Sequence, residues 1–119
     1  MSKILQISEI GSPILRQRSN LIDLPDPQID SLIVDLIATA DAANGVGIAA
    51  PQVAASMRLF IVASRPSPRY PSAPTMAPTA MINPEIIDRS GELVSGWEGC
   101  LSVPGVRGLV LRDRTINVR

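Results

Sequence analysis

The chain contains no histidine among its 119 residues. A cysteine nucleophile would therefore have no histidine to act as its base. Cysteine itself occurs once, at Cys100. One cysteine excludes an internal disulfide and, without histidine, provides too few ligands for a four-ligand zinc site. The lone thiol suits a reducing compartment.

Aromatic residues make up only 3% of the sequence, so its core must consist of aliphatic side chains and methionine. The hydrophobic fraction of 45% is sufficient for one small domain. Lys and Arg number eleven and Asp and Glu number eleven, which leaves a net charge of +0. This balance gives no basic patch for nucleic acid and no acidic tail for a basic partner.

Long apolar runs are also missing. No stretch approaches the ~20 apolar residues of a membrane span. The amino-terminal residues show no apolar run that ends in a small-residue cleavage site, so no signal peptide is predicted. We therefore expect a soluble protein of the cytoplasm or of an organelle matrix, with no membrane partner.

Residues 26–43 carry the clearest helical pattern. Asp26 is suited to the N-cap and Pro27 to the first helical position. The apolar residues then follow the spacing of one buried helical face: Ile29, Leu32, Ile33, Leu36, Ile37 and Ala40. Asn44-Gly45 is predicted to end the helix, because both residue types tolerate the left-handed conformation.

Two strands with a loop between them are predicted next. Residues 57–63 read as a buried strand, since their apolar run is mostly β-forming. Residues 64–79 hold five of the eleven prolines and are predicted to be a surface loop. Residues 80–88 are predicted to be one strand, in which Pro84 favours an edge or a bulge.

The last third of the chain is predicted to be strand-rich. A strand begins at residues 92–95, and Pro104-Gly105 is expected to turn the chain. Residues 106–111 and 115–118 are then predicted to pair as a hairpin. The chain ends within a strand pattern, so the prediction is a single domain over residues 1–119 that is truncated.

A first chemical motif is Gly45-Val46-Gly47-Ile48-Ala49-Ala50-Pro51-Gln52. Glycines two positions apart allow a backbone to pass close to another group. The carboxamide of Gln52 can donate a hydrogen bond to a developing oxyanion. The alternative is a helix end followed by an ordinary turn. The motif lacks the third glycine of a dinucleotide fingerprint and the Gly-Lys-Ser/Thr of a P-loop.

A second motif is Trp97-Glu98-Gly99-Cys100-Leu101-Ser102. Cys100 could present a thiolate to a metal ion. The backbone N–H of Leu101 could donate to an oxyanion in the same pocket. The alternative for an isolated cysteine is a small buried hydrophobic residue.

In this order and at this separation, the two motifs resemble those of peptide deformylases, which remove the formyl group from nascent N-formylmethionyl peptides. The resemblance implies an α+β fold with the amino-terminal helix packed on an antiparallel or mixed sheet. It makes Cys100 a ligand of Fe²⁺, with Zn²⁺ or Ni²⁺ as alternatives. It also makes Gln52 and the Leu101 N–H the oxyanion donors. The metal would activate the water that attacks the formyl carbon.

The resemblance further implies a bound N-formylmethionyl peptide or nascent chain. The Gly45-Val46-Gly47 segment would pair with this substrate, and Val46 and Leu101 would line the methionine pocket. Core packing is the alternative for both residues. Glu98 is interpreted as a structural hydrogen-bond partner or as a group that orders the site.

The third motif of the family, H-E-x-x-H, is absent, because the chain has no histidine. The fold would then stop before the metal-binding helix. We expect this chain alone to bind metal weakly and to be inactive. Loss of the helix should expose an apolar face open to a second copy or a partner helix. Three hypotheses remain open: part of a deformylase, a non-catalytic short paralogue that binds peptides or proteins, and a non-functional remnant.

Overall fold

The structure is a computed structural model that describes residues 2–23, 26–68 and 70–119. It combines a single long helix with short antiparallel sheets, which confirms the predicted α+β class. Two 3₁₀ turns lie at Pro13–Arg16 and Ala50–Val53. The main elements are α1 Pro27–Ala42, β1 Gly47–Ala49, β2 Leu59–Val62, β3 Thr79–Ile82, β4 Ile86–Arg89, β5 Leu93–Cys100, β6 Val103–Asp113 and β7 Ile116–Val118. None of the helices in the described ranges has the length and apolar character needed to cross a bilayer.

Helix α1 begins and ends as its sequence predicts. The side chain of Asp26 accepts a hydrogen bond from the backbone N–H of Gln28 at 2.9 Å, which satisfies one of the free donors of the first turn. Pro27 occupies the first turn, where its missing N–H costs nothing. At the other end Asn44 takes the left-handed conformation with φ of 56°.

The core lies between α1 and the sheet of order β1-β2-β3, whose strand pairs are all antiparallel. Strand β2 is the central strand, and its side chains alternate between buried and half-buried positions. Leu36 from the helix and Ile61 from β2 are almost completely buried, with 0% and 1% exposure. The sheet therefore holds β1 and the turn that follows it in a fixed place against the helix.

The single strand predicted over residues 80–88 is wrong. The chain forms two strands there, β3 and β4, which belong to different sheets. Asn83 breaks the run, because it adopts a left-handed conformation with φ of 47°. Its carboxamide accepts from the N–H of Ile22 and donates to the C=O of Ile22, both at 2.9 Å. This contact with a distant segment stabilises the break.

The predicted hairpin of residues 106–111 with 115–118 is also wrong. Strand β6 pairs with β5, and β7 pairs antiparallel with β4 instead. Residues Pro104-Gly105 lie inside β6, where Gly105 has φ of 76° and marks an irregularity, so the predicted turn is absent there. The tight turn is at Leu101-Ser102, because Cys100 lies opposite Val103.

One face of the β5-β6 hairpin is apolar and exposed. Trp97 lies opposite Leu109, and Ser95 lies opposite Leu111. Four large side chains on this face are 58–65% exposed: Leu93, Trp97, Leu109 and Leu111. We call these four residues the apolar hairpin face.

Candidate functional site

A cleft of about 1120 Å³ lies where α1 ends, alongside β1 and the end of β5. Three segments that are distant in the sequence form its walls. These are residues 43–47 with Gln52, residues from the proline-rich loop between Ser64 and Ala73, and residues 97–101. Both predicted motifs therefore open into one cavity.

The carboxamide of Gln52 meets the second motif inside this cleft. Its nitrogen Nε2 lies 3.7 Å from Sγ of Cys100 and donates to Oγ of Ser102 at 3.0 Å. Its oxygen Oε1 accepts from the backbone N–H of Ala49 at 2.9 Å. Because a backbone N–H can only donate, this contact fixes which end of the carboxamide faces the hairpin. The NH₂ group therefore points toward Cys100 and Ser102.

Cys100 is presented by the tip of the β5-β6 hairpin. It is the last residue of β5, and the strand register shifts between Gly99 and Cys100. Its side chain is exposed, which excludes the alternative of a buried hydrophobic cysteine. Ser102, two residues later, is buried with 4% exposure. The turn between them thus places a thiol at the cleft and a hydroxyl beneath it.

The two glycines of the first motif permit close approach. A Cβ on Gly45 would lie 2.8 Å from Cδ1 of Leu101, and a Cβ on Gly47 would lie 3.2 Å from the C=O of Ile61. Of the predicted pair Asn44-Gly45, it is Asn44 that adopts the left-handed conformation. Glycine at 45 instead leaves space for the Leu101 side chain at the wall of the cleft.

Strand β1 borders the cleft at the edge of the three-stranded sheet. Gly47 pairs with Val62 of β2 on one side, and the C=O of Val46 accepts from the N–H of Ala63 at 2.8 Å. An edge strand beside a cavity can accept an added strand from a bound peptide. Val46 and Leu101 both line the cavity.

Glu98 also lines the cleft, where Arg112 holds its carboxylate. The guanidinium donates from Nη2 to Oε1 at 2.7 Å and from Nε to Oε2, which is a bidentate pair across the two strands. The hydrogen bonds from Arg112 lower the pKa of Glu98, and the positive charge of Arg112 acts in the same direction. Glu98 is therefore ionised at neutral pH and paired with Arg112.

The comparison with known proteins covers almost the whole chain. The family model for polypeptide deformylase matches residues 4–119. This chain belongs to the polypeptide deformylase family.

Curated relatives of this deformylase-family chain include peptide deformylase 2 from Nostoc, 62% identical over 117 residues. Peptide deformylase 2 from Shewanella oneidensis is 47% identical over 118 residues. The matches include 98% and 99% of this chain, respectively, but only 65% of each relative. The chain thus spans less than two thirds of the length of these relatives.

Solved structures agree with this assignment. A class I type b peptide deformylase from Acinetobacter baumannii with Met-Ala-Ser bound has a TM-score of 0.96 and 45% identity, with coverage of 99% of this chain and 76% of its own. The peptide deformylase from Thermotoga maritima has a TM-score of 0.85 and 33% identity, with coverage of 98% and 72%. The fold of this deformylase-family chain is therefore that of known deformylases.

Sequence reasoning missed several residues at the site. Ser102 stood in the second motif but received no role, although it accepts the hydrogen bond from Gln52. The proline-rich loop was read as a surface excursion, yet it forms one wall of the cleft. Its Tyr70 hydroxyl donates to the C=O of Trp97 at 3.0 Å, and its ring lies 5.4 Å from the guanidinium carbon of Arg107. The one feature of the sequence that could have indicated a role for this loop is its tyrosine, the single one in the chain.

The residues present do not form a complete metal site. Within residues 2–23, 26–68 and 70–119, no group of three or more His, Cys, Asp or Glu side chains could hold a metal ion. Cys100 offers a single thiolate, and the nearby Glu98 is engaged with Arg112. One thiolate provides one of the four positions that a typical catalytic zinc site fills. The donor set therefore does not fit a resident metal on its own.

Proposed function

We propose that this chain supplies the peptide cleft, one metal-ligating thiolate and the oxyanion donors of a peptide deformylase that acts on N-formylmethionyl peptides. The observation that carries the proposal is the approach of Gln52 Nε2 to within 3.7 Å of Cys100 Sγ. It brings a hydrogen-bond donor and a potential metal ligand to one point in a cleft. Family membership supports the chemistry assigned to that point.

Gln52 is the proposed donor to the formyl oxygen. One N–H of its carboxamide is engaged by Ser102, and the NH₂ group faces the cleft beside Cys100. The backbone N–H of Leu101, next to Cys100, is the proposed second donor. Such donors stabilise the negative charge that develops on a carbonyl oxygen, and losing one typically costs about 10²–10³ in kcat.

The substrate is proposed to lie extended along β1. Backbone hydrogen bonds to the Gly45-Val46-Gly47 segment would give affinity irrespective of sequence. Val46 and Leu101 would contact the methionine side chain. A tripeptide is bound to the related A. baumannii protein, whose chain is 45% identical to this one. Glu98 would order the cleft wall through Arg112.

The metal belongs to the complete centre. By family resemblance it is Fe²⁺, with Zn²⁺ or Ni²⁺ as alternatives, and it supplies an activated water when bound. Cys100 would provide one ligand. We expect this chain alone to hold no metal stably and to release no formate, because it contains no histidine to provide the remaining ligands.

A non-catalytic module that binds peptides or proteins is the second candidate. It is favoured by the combination of a large cleft with an incomplete donor set among the described residues. The apolar hairpin face could then contact a second copy of the chain or a partner helix. This candidate shares the peptide-binding step with the deformylase proposal. It would not hydrolyse the formyl group, even when the remaining parts of a deformylase are supplied.

The proposed binding step is tested by calorimetric titration with N-formyl-Met-Ala-Ser and with unformylated Met-Ala-Ser. We expect the formylated peptide to bind more tightly. The substitution Gln52→Leu should lower the affinity for the formylated peptide about threefold to tenfold, which is the equilibrium effect of one hydrogen bond. Gln17→Leu, at an exposed position outside the cleft, is the matched control. No binding, or equal binding of both peptides, would refute the proposal.

A further inference from the structure

The amino-terminal residues 3–10, here called the strap, run along helix α1 before they reach the site. The backbone N–H of Lys3 donates to Oδ1 of Asp35 at 2.8 Å. The N–H of Leu5 donates to Oγ1 of Thr39 at 2.9 Å, and Thr39 is only 1% exposed. Two backbone donors two residues apart therefore attach the start of the strap to successive turns of the helix.

The end of the strap contacts both chemical motifs. The N–H of Ser8 donates to the C=O of Gln52 at 2.6 Å, and the N–H of Ile10 donates to the C=O of Ser102 at 2.8 Å. The side chains of Gln52 and Ser102 are themselves joined, although 50 positions separate them in sequence. Three hydrogen bonds thus link strap, first motif and second motif in a closed ring.

We infer that residues 8–10 are a positioning element of the site, which fixes the Gln52 donor relative to the tip of the β5-β6 hairpin. This inference rests on the proposed function, because the positioned group is the proposed oxyanion donor. Gln52 follows β1 of the three-stranded sheet, whereas Ser102 lies in the turn that joins β5 and β6 of a separate sheet. The strap is bonded to the backbones of both.

The physical reason is preorganisation. A donor stabilises a developing charge best when it is already held at the right place, so that no reorganisation is needed during the reaction. The side-chain bond between Gln52 and Ser102 orients the carboxamide, but it depends on the two backbones remaining at one separation. The strap restrains that separation through backbone donors, which among substitutions only one by proline removes.

A turn in the strap offers a precise way to remove one of these donors. Ser12 N–H donates to the C=O of Glu9 at 3.0 Å, and Gly11 has φ of 101°. These are features of a type II turn with Ile10 at its second position, where proline is favoured. The Ile10 side chain is 69% exposed. Ile10→Pro should therefore keep the turn and delete the N–H that bonds Ser102.

The test compares Ile10→Pro with Ile10→Ala in the full chain. Both variants lose the isoleucine side chain, but only Ile10→Pro also loses the backbone N–H. The main readout is the Gln52 side-chain NH₂ resonance in a ¹⁵N-labelled sample, assigned with Gln52→Leu. We expect this resonance to shift and its hydrogen exchange to accelerate in Ile10→Pro relative to Ile10→Ala. Identical Gln52 resonances in the two variants would overturn the inference.

A second measurement needs no variant. Coupling between the strap and the site is reciprocal, so a peptide that engages Gln52 should slow hydrogen exchange at the Ser8 and Ile10 amides. The probe is N-formyl-Met-Ala-Ser added to the wild-type chain. Peptide binding without added protection of these amides would contradict the inference. Failure of the peptide to bind would refute the proposed function but not this inference. The comparison of the Gln52 resonance in Ile10→Pro and Ile10→Ala would still test the role of the strap.

If Ile10→Pro does not fold, the wild-type exchange measurement decides. If both experiments succeed, the affinity for the formylated peptide should also be lower in Ile10→Pro than in Ile10→Ala, by at most about tenfold, because at worst one hydrogen bond from Gln52 to the peptide is lost. A purely structural strap would lower the unfolding temperature of Ile10→Pro and leave the Gln52 resonance in place. That pattern would overturn a positioning role.

Discussion

The carboxamide nitrogen of Gln52 lies 3.7 Å from the sulfur of Cys100, although 48 positions separate the two residues in the chain. Gln52 follows β1 and Cys100 ends β5, and these two strands belong to different sheets. Their approach brings together two motifs that are far apart in the sequence. If the Gln52 carboxamide and the Cys100 thiol lay on opposite faces of the molecule, they could not belong to one hydrolytic centre.

Ser102 should stabilise the fold through Gln52. The substitution Ser102→Ala removes the acceptor for Nε2 at a site that is 4% exposed. We expect a loss of roughly 1 kcal/mol in the free energy of unfolding, the usual net value of one hydrogen bond, measured by urea denaturation. Ser95→Ala, at an exposed position of β5, is the control. Equal stabilities of the two variants would show that the Ser102 bond contributes nothing.

Gly45→Ala should disturb the cleft wall. The new Cβ would lie 2.8 Å from Cδ1 and 3.3 Å from Cγ of Leu101, so the Leu101 side chain must move. Overpacking of this kind typically costs about 1–3 kcal/mol, which thermal or urea unfolding measures.

Gly96→Ala is the matched control, because a Cβ there meets no atom within 4 Å. The double variant Gly45→Ala/Leu101→Ala should recover part of the loss, since the clashing side chain is gone. A Gly45→Ala variant as stable as Gly96→Ala would mean that Leu101 is not confined as the structure has it.

The Glu98–Arg112 pair should stabilise the fold in a pH-dependent way. The pKa of Glu98 is lowered in the folded chain by the hydrogen bonds from Arg112, relative to its ordinary value of 4.5. The contribution is therefore complete above 4.5 and is lost as the pH falls through the lower folded pKa. The pair is largely exposed, so the effect is small and is screened by salt.

This is measured as the difference in unfolding free energy between wild type and Arg112→Gln across the pH range. We expect the difference to be larger at neutral pH than in acid, and the NMR titration midpoint of Glu98 to rise in Arg112→Gln. Arg112→Lys, which retains the charge but not the bidentate geometry, should give an intermediate midpoint. A midpoint that is the same in all three proteins would contradict the assigned cause.

The apolar hairpin face should promote self-association. Its four large side chains are at least 58% exposed, and contiguous apolar surface of this kind favours contact with another protein surface. We expect sedimentation velocity to show concentration-dependent association that Leu109→Lys reduces. Val34→Lys changes the charge equally at a 50%-exposed position on α1 and should leave association unchanged. Equal reduction by both variants would indicate a general charge effect.

The elements that the sequence predicts well are those that local interactions determine. Helix α1 has its N-cap, its proline and its apolar spacing within one segment, so nothing distant decides it. Strand β2 is similar, because its apolar run is continuous and its position is central. The cleft residues Gln52 and Cys100 were found through motifs that carry their own spacing.

The failures concern strand partners and contacts from distant segments. Strand β7 pairs with β4, so that Ile86 lies opposite Val118, and no local pattern announces this pairing. Asn83 divides the predicted strand because its carboxamide is bound by Ile22, far earlier in the chain. The partners of Gln52 and Glu98, which are Ser102 and Arg112, likewise become visible only when the hairpin forms.

The most direct test of the central claim is formate release from N-formyl-Met-Ala-Ser with Fe²⁺ under anaerobic conditions. Three proteins are compared: this chain, a fusion of this chain with the part of the Nostoc relative that lies outside the match, and that fusion carrying Cys100→Ala. Circular dichroism first verifies that each is folded. We predict that the fusion with Cys100 intact releases formate and that the other two proteins do not. Release by the chain by itself, or by the fusion without Cys100, would contradict the claim that this polypeptide contributes one part of a shared hydrolytic centre.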